Sequence, residues 1–224
     1  MDNSIRVKEV KAHVLEDNDA LAAKVREGLR HKKTFLVNLM ASPGAGKTTT
    51  LVRTINALKD TYRIGVMEAD VDSQVDADTI AETGARVVQL HTGGSCHMDA
   101  GMTQSGLDEL AIDDLDIVFL ENVGNLVCPA EFDVGAAKKV TILSVPEGHD
   151  KPLKYPLMFT ITECLLINKI DTAPVFDFDL EALRGYVEKL NPGLPILPLS
   201  SLTGEGFDAW IDWLKTEVEA WRAE

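Results

Sequence analysis

The chain has little of what would attach it to a membrane or to nucleic acid. It has no apolar run as long as a signal peptide or a membrane span requires. Its 22 lysines and arginines stand against 36 acidic residues, a formal charge of −14, and they form no long basic stripe. We therefore expect a cytoplasmic protein that binds neither membrane nor nucleic acid. Any phosphate must bind at a small local site and not along an extended basic surface.

Cysteine is also scarce. The three thiols are Cys96, Cys128 and Cys164, an odd number in a chain expected in a reducing compartment. A disulfide framework is therefore not indicated, and metal binding is the better hypothesis. Cys164 lies inside an apolar run, and we interpret it as a core residue.

Apolar runs alternate with helical stretches along most of the chain. Several runs are apolar at consecutive positions, as in strands covered on both faces. The pattern predicts an α/β fold with a mainly parallel sheet and helices on both faces. The predicted strands are 34–41, 63–69, 85–90, 117–122, 140–145, 165–168 and 196–199, and the clearest helices are 47–58, 75–83, 180–190 and 207–223.

The first 32 residues differ in composition from the remainder, being rich in charge with scattered apolar positions. We interpret residues 1–32 as an N-terminal helical extension packed on or near the rest, with an arm against a partner subunit as the alternative. Residues 33–224 are long enough to form one domain with a full core.

A glycine-rich loop connects the first predicted strand to the first clear helix. The segment TFLVNLMASPGAGKTTTL, 34–51, matches G-x-x-x-x-G-K-[ST] except at Ala41, which stands where the first glycine is usual. Alanine is compatible with that position if φ stays negative. Backbone N–H groups would bind phosphate, Lys47 would neutralise its charge, and Thr48 would ligate Mg²⁺. The predicted phosphate-binding residues are Pro43, Gly44, Ala45, Gly46, Lys47, Thr48 and Thr49.

A second motif indicates which base is bound. CLLINKID ends a predicted strand with Asn168, Lys169 and Asp171, the order found in guanine-nucleotide proteins. The aspartate there accepts hydrogen bonds from N1 and the exocyclic amine of guanine, a donor pair that adenine lacks. Further along, Ser200, Ser201 and Leu202 form the turn expected to place a backbone N–H against the guanine oxygen. We predict GTP rather than ATP.

Acidic residues at two other strand ends are candidates for Mg²⁺ and for hydrolysis. In IVFLENVGN, Glu121 and Gly124 are spaced like the Asp-x-x-Gly segment of GTPases, with Gly124 placed to sense the γ-phosphate. After the second strand, Asp70 is the first candidate for Mg²⁺ or the attacking water and Asp72 the second; a solvated acidic loop is the alternative. The predicted catalytic residues are thus Lys47, Asp70, Asp72, Glu121 and Gly124, and the predicted Mg²⁺ ligands are Thr48, Asp70 and Glu121.

A cysteine, a histidine and a second cysteine follow strands of the same sheet. Because parallel strands place their carboxyl ends at one edge, Cys96, His97 and Cys128 can converge although the cysteines are far apart in sequence. Two thiolates and an imidazole suit Ni²⁺ or Zn²⁺ and leave the coordination shell incomplete. A homodimer could complete the shell. The alternative is that these are loop residues without chemical importance.

Taken together, SPGAGKTT, HTGGSCH, ENVGNLVCPAEFD, VPEGHDKPLKYP and NKID resemble the HypB family of nickel-incorporation GTPases over nearly the whole chain. The resemblance implies a dimerising P-loop GTPase of the SIMIBI type that helps deliver Ni²⁺ to the large subunit of [NiFe]-hydrogenase. It also implies a second nickel-maturation protein as partner, and a metal site at Cys96, His97 and Cys128. The first residues carry no cysteine cluster and no histidine-rich run, so nickel storage is not expected.

Other functions stay open at this point. The urease accessory GTPase is the main competitor, although its usual Cys-Pro-His is here Cys128-Pro129-Ala130. A GTPase chaperone of cobalamin enzymes would have no evident use for the metal loops. A small-molecule phosphotransferase and a scaffold with structural zinc are more distant alternatives.

Overall fold

A parallel sheet forms the centre of the protein. The computed structural model describes residues 10–70 and 75–224. Within them, seven strands are arranged in the order β3-β2-β4-β1-β5-β6-β7, and every neighbouring pair is parallel. The strands are β1 (Phe35–Ala41), β2 (Ile64–Asp70), β3 (Arg86–His91), β4 (Ile117–Glu121), β5 (Lys138–Ser144), β6 (Cys164–Asn168) and β7 (Ile196–Pro198). The predicted parallel α/β sheet is confirmed.

Helices fill the connections between these strands, and two more precede the first strand and follow the last. In the described part of the chain they are α1 (Val10–Lys32), α2 (Lys47–Leu58), α3 (Val75–Ala81), α4 (Ala100–Leu110), α5 (Cys128–Glu131), α6 (Lys151–Lys154), α7 (Pro156–Ile161), α8 (Leu180–Leu190) and α9 (Phe207–Ala223). Three of them, α2, α8 and α9, have the predicted bounds, whereas α3 ends two residues early.

The sequence pattern did not reveal α4 to α7. Helix α4 contains two glycines, which are weak helix formers. Gly106 is needed there because a Cβ atom would lie 2.6 Å from the Met67 sulfur on β2. Helices α5 to α7 have four to six residues each, too few to show a helical period.

The core explains the apolar strands and the aromatic stripe of the last helix. Every residue of β1, β4 and β6 is buried. Trp210 and Trp221 on α9 are buried as well, and their indole N–H groups donate to Thr54 Oγ1 at 2.9 Å and to the Thr34 carbonyl at 3.0 Å. These tryptophans are therefore packing residues with satisfied polar atoms.

Helix α1 lies against the sheet domain. Its Ala22, Val25 and Leu29 are buried, and Val25 and Leu29 belong to the main hydrophobic core. Residues 1–9 of the predicted N-terminal extension lie outside the described residues. Among residues 10–70 and 75–224, no helix combines the length and the apolar character needed to cross a bilayer.

Candidate functional site at the carboxyl edge of the sheet

The loop between β1 and α2 has the conformation that phosphate binding requires. Gly44 and Gly46 have φ angles of 76° and 96°, in the left-handed region that favours glycine. Lys47 begins α2 directly after them, so the helix N-terminus faces the loop. Ala41 is the last residue of β1 and is fully buried. Alanine is tolerated at this position because a strand residue needs no positive φ.

Side chains of the base motif hold the phosphate loop through hydrogen bonds. The Asn168 side chain donates to the Ala45 carbonyl at 2.9 Å, and Lys169 Nζ donates to the Gly44 carbonyl at 2.6 Å. A Cβ atom on Gly46 would lie 2.5 Å from Asn168 Nδ2, so glycine is needed for this close approach. The phosphate segment and the base segment therefore form one connected structure.

The loop after β7 closes the base side. Asn168 Oδ1 accepts the Ser201 N–H at 3.0 Å, and the Ser200 hydroxyl donates to Asp171 at 2.5 Å. A cavity of about 230 Å³ opens here. Its lining residues are Gly46, Thr49, Asn168, Lys169, Asp171, Thr172, Ser201 and Leu202.

Two residues of α2 hold this loop, and the sequence analysis did not identify them. Arg53 donates to the carbonyls of Ser201 and Leu202, both at 2.8 Å. The Thr50 and Ser201 hydroxyl oxygens lie 2.7 Å apart in the buried interior. No motif marks Thr50 or Arg53, because the contact joins segments almost 150 residues apart.

A carboxylate cluster lies next to the P-loop threonine. Thr48 Oγ1 donates to Glu121 Oε1 at 2.8 Å. Glu68 on β2 is paired in register with Glu121 on β4, and both are only 2% exposed. Carboxylate oxygens of Glu68, Asp76 and Glu121 lie within 4.8 Å of one another. Among the described residues, Glu68 Oε2 and Glu121 Oε2 are buried without a hydrogen-bond partner.

This donor set fits Mg²⁺, since hard cations prefer oxygen ligands and buried polar atoms normally have partners. Burial raises the pKa of Glu68 to about 8, and the nearby Glu121 adds to the effect. Burial likewise raises the pKa of Glu121 to about 7, against the opposing influence of Lys47. A bound cation would favour the ionised form of both carboxyls.

Of the two predicted aspartates, only Asp70 can be placed relative to this cluster. Asp70 ends β2, half-buried, and its charge contributes to the raised pKa of both Glu68 and Glu121. Asp72 lies outside the described residues. No sequence motif marks Glu68 or Asp76, although a glutamate inside an otherwise apolar strand is an unusual signal.

The structure brings Cys96, His97 and Cys128 together. Their ligand atoms lie within 4.8 Å of one another, with 2.9 Å between the two sulfurs and 3.9 Å from Cys96 Sγ to His97 Nδ1. Cys96 is exposed and Cys128 is partly exposed, so the group opens to solvent. Cys164, in contrast, is buried in β6. Two thiols and an imidazole are a donor set for Ni²⁺ or Zn²⁺.

Neighbouring side chains orient these donors. The His97 ring stacks on Phe132 with 3.8 Å between centroids, and Ser95 Oγ lies 3.3 Å from His97 Nδ1. Burial lowers the pKa of His97, which favours the neutral imidazole that binds metals. The adjacent Cys96 thiol raises the pKa of Cys128. Metal binding at Cys128 must therefore displace a firmly held proton.

One loop, residues 122–128, contacts both the phosphate loop and the cysteine loop. Gly124 packs on Pro43 so closely that a Cβ atom would lie 3.0 to 3.2 Å from it. The next side chain, Asn125, donates to the Cys96 carbonyl at 3.3 Å. Asn122 accepts the Met98 N–H at 3.3 Å. A short path of contacts thus joins the phosphate loop to Cys96.

A larger cavity, of about 530 Å³, lies at the opposite edge, where β2 and β3 begin. Its guanidinium groups are paired, Arg63 with Asp116 and Arg86 with Asp114. We therefore place the chemistry at the carboxyl edge.

The parallel sheet, the phosphate loop and the guanine-type base segment define the chain as a P-loop GTPase. Residues 35–198 match the family model for the CobW/HypB/UreG nucleotide-binding domain. The chain is 44% identical to hydrogenase maturation factor HypB of Escherichia coli K12 over 212 residues, which is 95% of this chain and 73% of that protein. The chain belongs to the HypB family of hydrogenase maturation factors.

Two solved structures are similar over most of their length. The crystal structure of HypB from Helicobacter pylori in complex with nickel has a TM-score of 0.86 at 36% identity, over 91% of this chain and 96% of that one. The structure of HypB from Archaeoglobus fulgidus has a TM-score of 0.85 at 37% identity, over 91% of this chain and 100% of that one.

Proposed function

We propose that the chain uses GTP binding and hydrolysis to control a bound nickel ion and assist its insertion into the large subunit of [NiFe]-hydrogenase. The observation that carries the proposal is the loop 122–128, which contacts the phosphate loop through Gly124 and ends at Cys128. Family membership supports the hydrogenase role, and the nickel complex of the Helicobacter pylori relative supports the choice of metal.

Each nucleotide-binding residue has a distinct task. Asp171 recognises the guanine edge, Lys169 covers the ring, and the Ser200–Leu202 turn faces the base oxygen. Backbone N–H groups from Pro43 to Thr49 and the Lys47 ammonium hold the phosphates. Bound Mg²⁺ would neutralise charge on the β- and γ-phosphates, and Thr48 and Glu121, with Glu68 and Asp76 close by, are the residues to hold it. Asp70 stays the first candidate for ligating Mg²⁺ or orienting the attacking water, and Asp72 stays the second.

Loss of the γ-phosphate is the event that changes the metal site. Gly124 presses against Pro43, so its loop is placed to respond when the phosphate leaves. Asn125 is bonded to Cys96 and the same loop ends at Cys128, so a shift of this loop moves two of the three metal ligands. By linkage, the metal must also change nucleotide affinity.

A homodimer is the assembly we propose. Three donors leave a coordination position open, and a second copy of the chain can supply another. Val127 in the loop 122–128, Leu153 on α6 and Leu157 on α7 are exposed apolar residues. Lys151, which lines a cavity with Gly124 and Asn125, is a candidate for a contact across the dimer, as is Lys154. The division into an extension, 1–32, and a GTPase domain, 33–224, and the cytoplasmic location stay predictions.

The first experiment is product analysis with GTP as substrate. We expect free phosphate and GDP, with ATP a poor substrate because Asp171 has no matching donors on adenine. A phosphorylated small-molecule acceptor in place of free phosphate would contradict the proposal and favour a phosphotransferase.

The second experiment addresses the client. Hydrogenase large subunit is passed over the immobilised full chain loaded with nickel and either GDP or a non-hydrolysable GTP analogue. We expect retention that depends on the nucleotide. Retention of a urease apoprotein in its place would assign the chain to the other nickel pathway. In a separate treatment with a chelator, unfolding of the chain without any other effect would indicate that the metal is structural.

A further inference from the structure

We propose that Asn18 on α1 is a positioning residue for the metal site, holding together the two loops that carry its ligands. The inference rests on the proposed metal-binding function of Cys96, His97 and Cys128. It gives the N-terminal helix a role in that function.

The contacts of one amide carry the proposal. Asn18 Oδ1 accepts the backbone N–H of Ala100 at 2.9 Å, and Asn18 Nδ2 donates to the backbone carbonyl of Asp133 at 2.9 Å. Ala100 lies three residues after His97, at the start of α4. Asp133 directly follows Phe132, the ring on which His97 stacks. The oxygen and the nitrogen of the amide therefore each make a hydrogen bond, one to each of the two segments.

The second loop is pressed tightly against α1. Arg26 donates to both carboxylate oxygens of Asp133 at 2.7 Å and to the Ala136 carbonyl at 2.9 Å. Gly135 has a φ of 78°, and a Cβ atom there would lie 2.7 Å from Val25. These contacts fix the loop after Cys128 to the helix, but they do not reach the loop of Cys96.

Asn18 thus sets the distance between the segment that follows His97 and the segment that follows Cys128. Asn122 and Asn125, which precede Cys128, bond to Met98 and Cys96. Asn18 bonds instead to Ala100 and to Asp133, which follow the metal ligands, from a third segment of the chain. Held by both sets of bonds, His97 and Phe132 keep their stacked geometry while Cys96 faces Cys128. Contacts that orient metal ligands commonly change metal affinity by about 10- to 100-fold.

The test is a Ni²⁺ titration of the full chain with GDP bound. The thiolate-to-metal charge-transfer absorption band reports the binding. Asn18→Ala removes both bonds, and Asn18→Asp keeps an acceptor for Ala100 but has no donor for Asp133. We expect both variants to bind Ni²⁺ about 10-fold more weakly, with a shifted absorption band. Asn56→Ala is the matched control, since Asn56 is an exposed amide on α2 bonded to Lys59.

A second comparison separates positioning from general stability. Arg26→Ala removes an ion pair of α1 without touching the loop of Cys96, so we expect it to lower the unfolding temperature more and the Ni²⁺ affinity less than Asn18→Ala does. Affinities that simply follow the unfolding temperature across these variants would overturn the inference, as would wild-type affinity in both Asn18 variants. If the wild-type chain itself binds no Ni²⁺, the proposed function fails instead.

Discussion

The base end and the metal end of the carboxyl edge are constructed differently. At the base end, Asn168, Lys169, Asp171 and Ser201 are all bonded to other groups of the same chain. At the metal end, Cys96 is exposed and the other two donors, His97 and Cys128, are half-buried. A preorganised pocket binds a complete small molecule, whereas an open triad leaves room for a further ligand. The base end therefore offers a formed pocket, and the metal end an incomplete set of ligands.

The largest effect is expected at the base end, from Asp171→Asn. The change removes two charge-assisted bonds to guanine, each worth about 2 kcal/mol, so GDP affinity should fall by nearly 1000-fold. Xanthosine diphosphate, which has a carbonyl in place of the exocyclic amine, should bind the variant better than GDP does. Fluorescent-nucleotide titration measures both. An unchanged preference for guanine would show that Asp171 does not read the base.

Cys128→Ala should have the corresponding effect at the metal end. Loss of a thiolate ligand is expected to weaken Ni²⁺ binding by about 100-fold, at the upper end of what supporting contacts cost. GDP affinity measured without metal should stay as in the wild type, because the base end does not contact Cys128. Cys164→Ala is the control, since its thiol is buried in β6. Equal Ni²⁺ affinity in the two variants would show that Cys128 is not a metal ligand.

Nickel affinity should also rise with pH. The pKa of Cys128 is raised by the neighbouring Cys96 thiol, and only the thiolate binds metal. Below that pKa, affinity should increase by about tenfold per pH unit for each proton released. His97, whose pKa is lowered, should add no further dependence near neutral pH. Competition titrations with a chelator across neutral pH measure the slope, and a flat profile would argue against thiolate ligands.

A smaller effect is expected when the support of the base loop is removed. Arg53→Ala loses the bonds to the carbonyls of Ser201 and Leu202, so GDP should dissociate about 5- to 10-fold faster. Lys59→Ala, at the C-terminal end of the same helix and bonded to Asn56, is the control. Stopped-flow displacement of a fluorescent GDP measures the rate, and equal rates in both variants would mean that the loop holds its shape without Arg53.

A separate effect, on stability and not on ligand affinity, concerns the buried carboxyls next to Thr48. Folding raises the pKa of Glu68 to about 8 and that of Glu121 to about 7, from 4.5. Above 4.5 the unfolded chain releases protons that the folded chain keeps, so stability without Mg²⁺ should fall as pH rises towards 8. Glu68→Gln should flatten the dependence, whereas the exposed Glu109→Gln should not. Thermal unfolding at several pH values measures this.

The sequence revealed those features that local patterns encode. The P-loop spacing placed Lys47 at a helix N-terminus, and the rule of parallel strands predicted that Cys96 and Cys128 would meet. Glu68 was overlooked because it lies within an apolar strand. The contacts of Asn18 and Arg53 join segments more than 80 residues apart, and tertiary packing alone creates them. Sequence motifs identify the residues that bind ligands. The residues that hold them in place can be identified only in the folded structure.

The proposed coupling changes metal affinity with nucleotide state through Gly124, Asn125 and Cys96. The most direct measurement is a Ni²⁺ titration of the wild-type chain and of Asn125→Ala, each with GDP and with a non-hydrolysable GTP analogue. We predict that the two nucleotides give wild-type dissociation constants that differ by about 5-fold or more, and that Asn125→Ala reduces the difference. Identical nickel affinity of the wild type with both nucleotides would contradict the account.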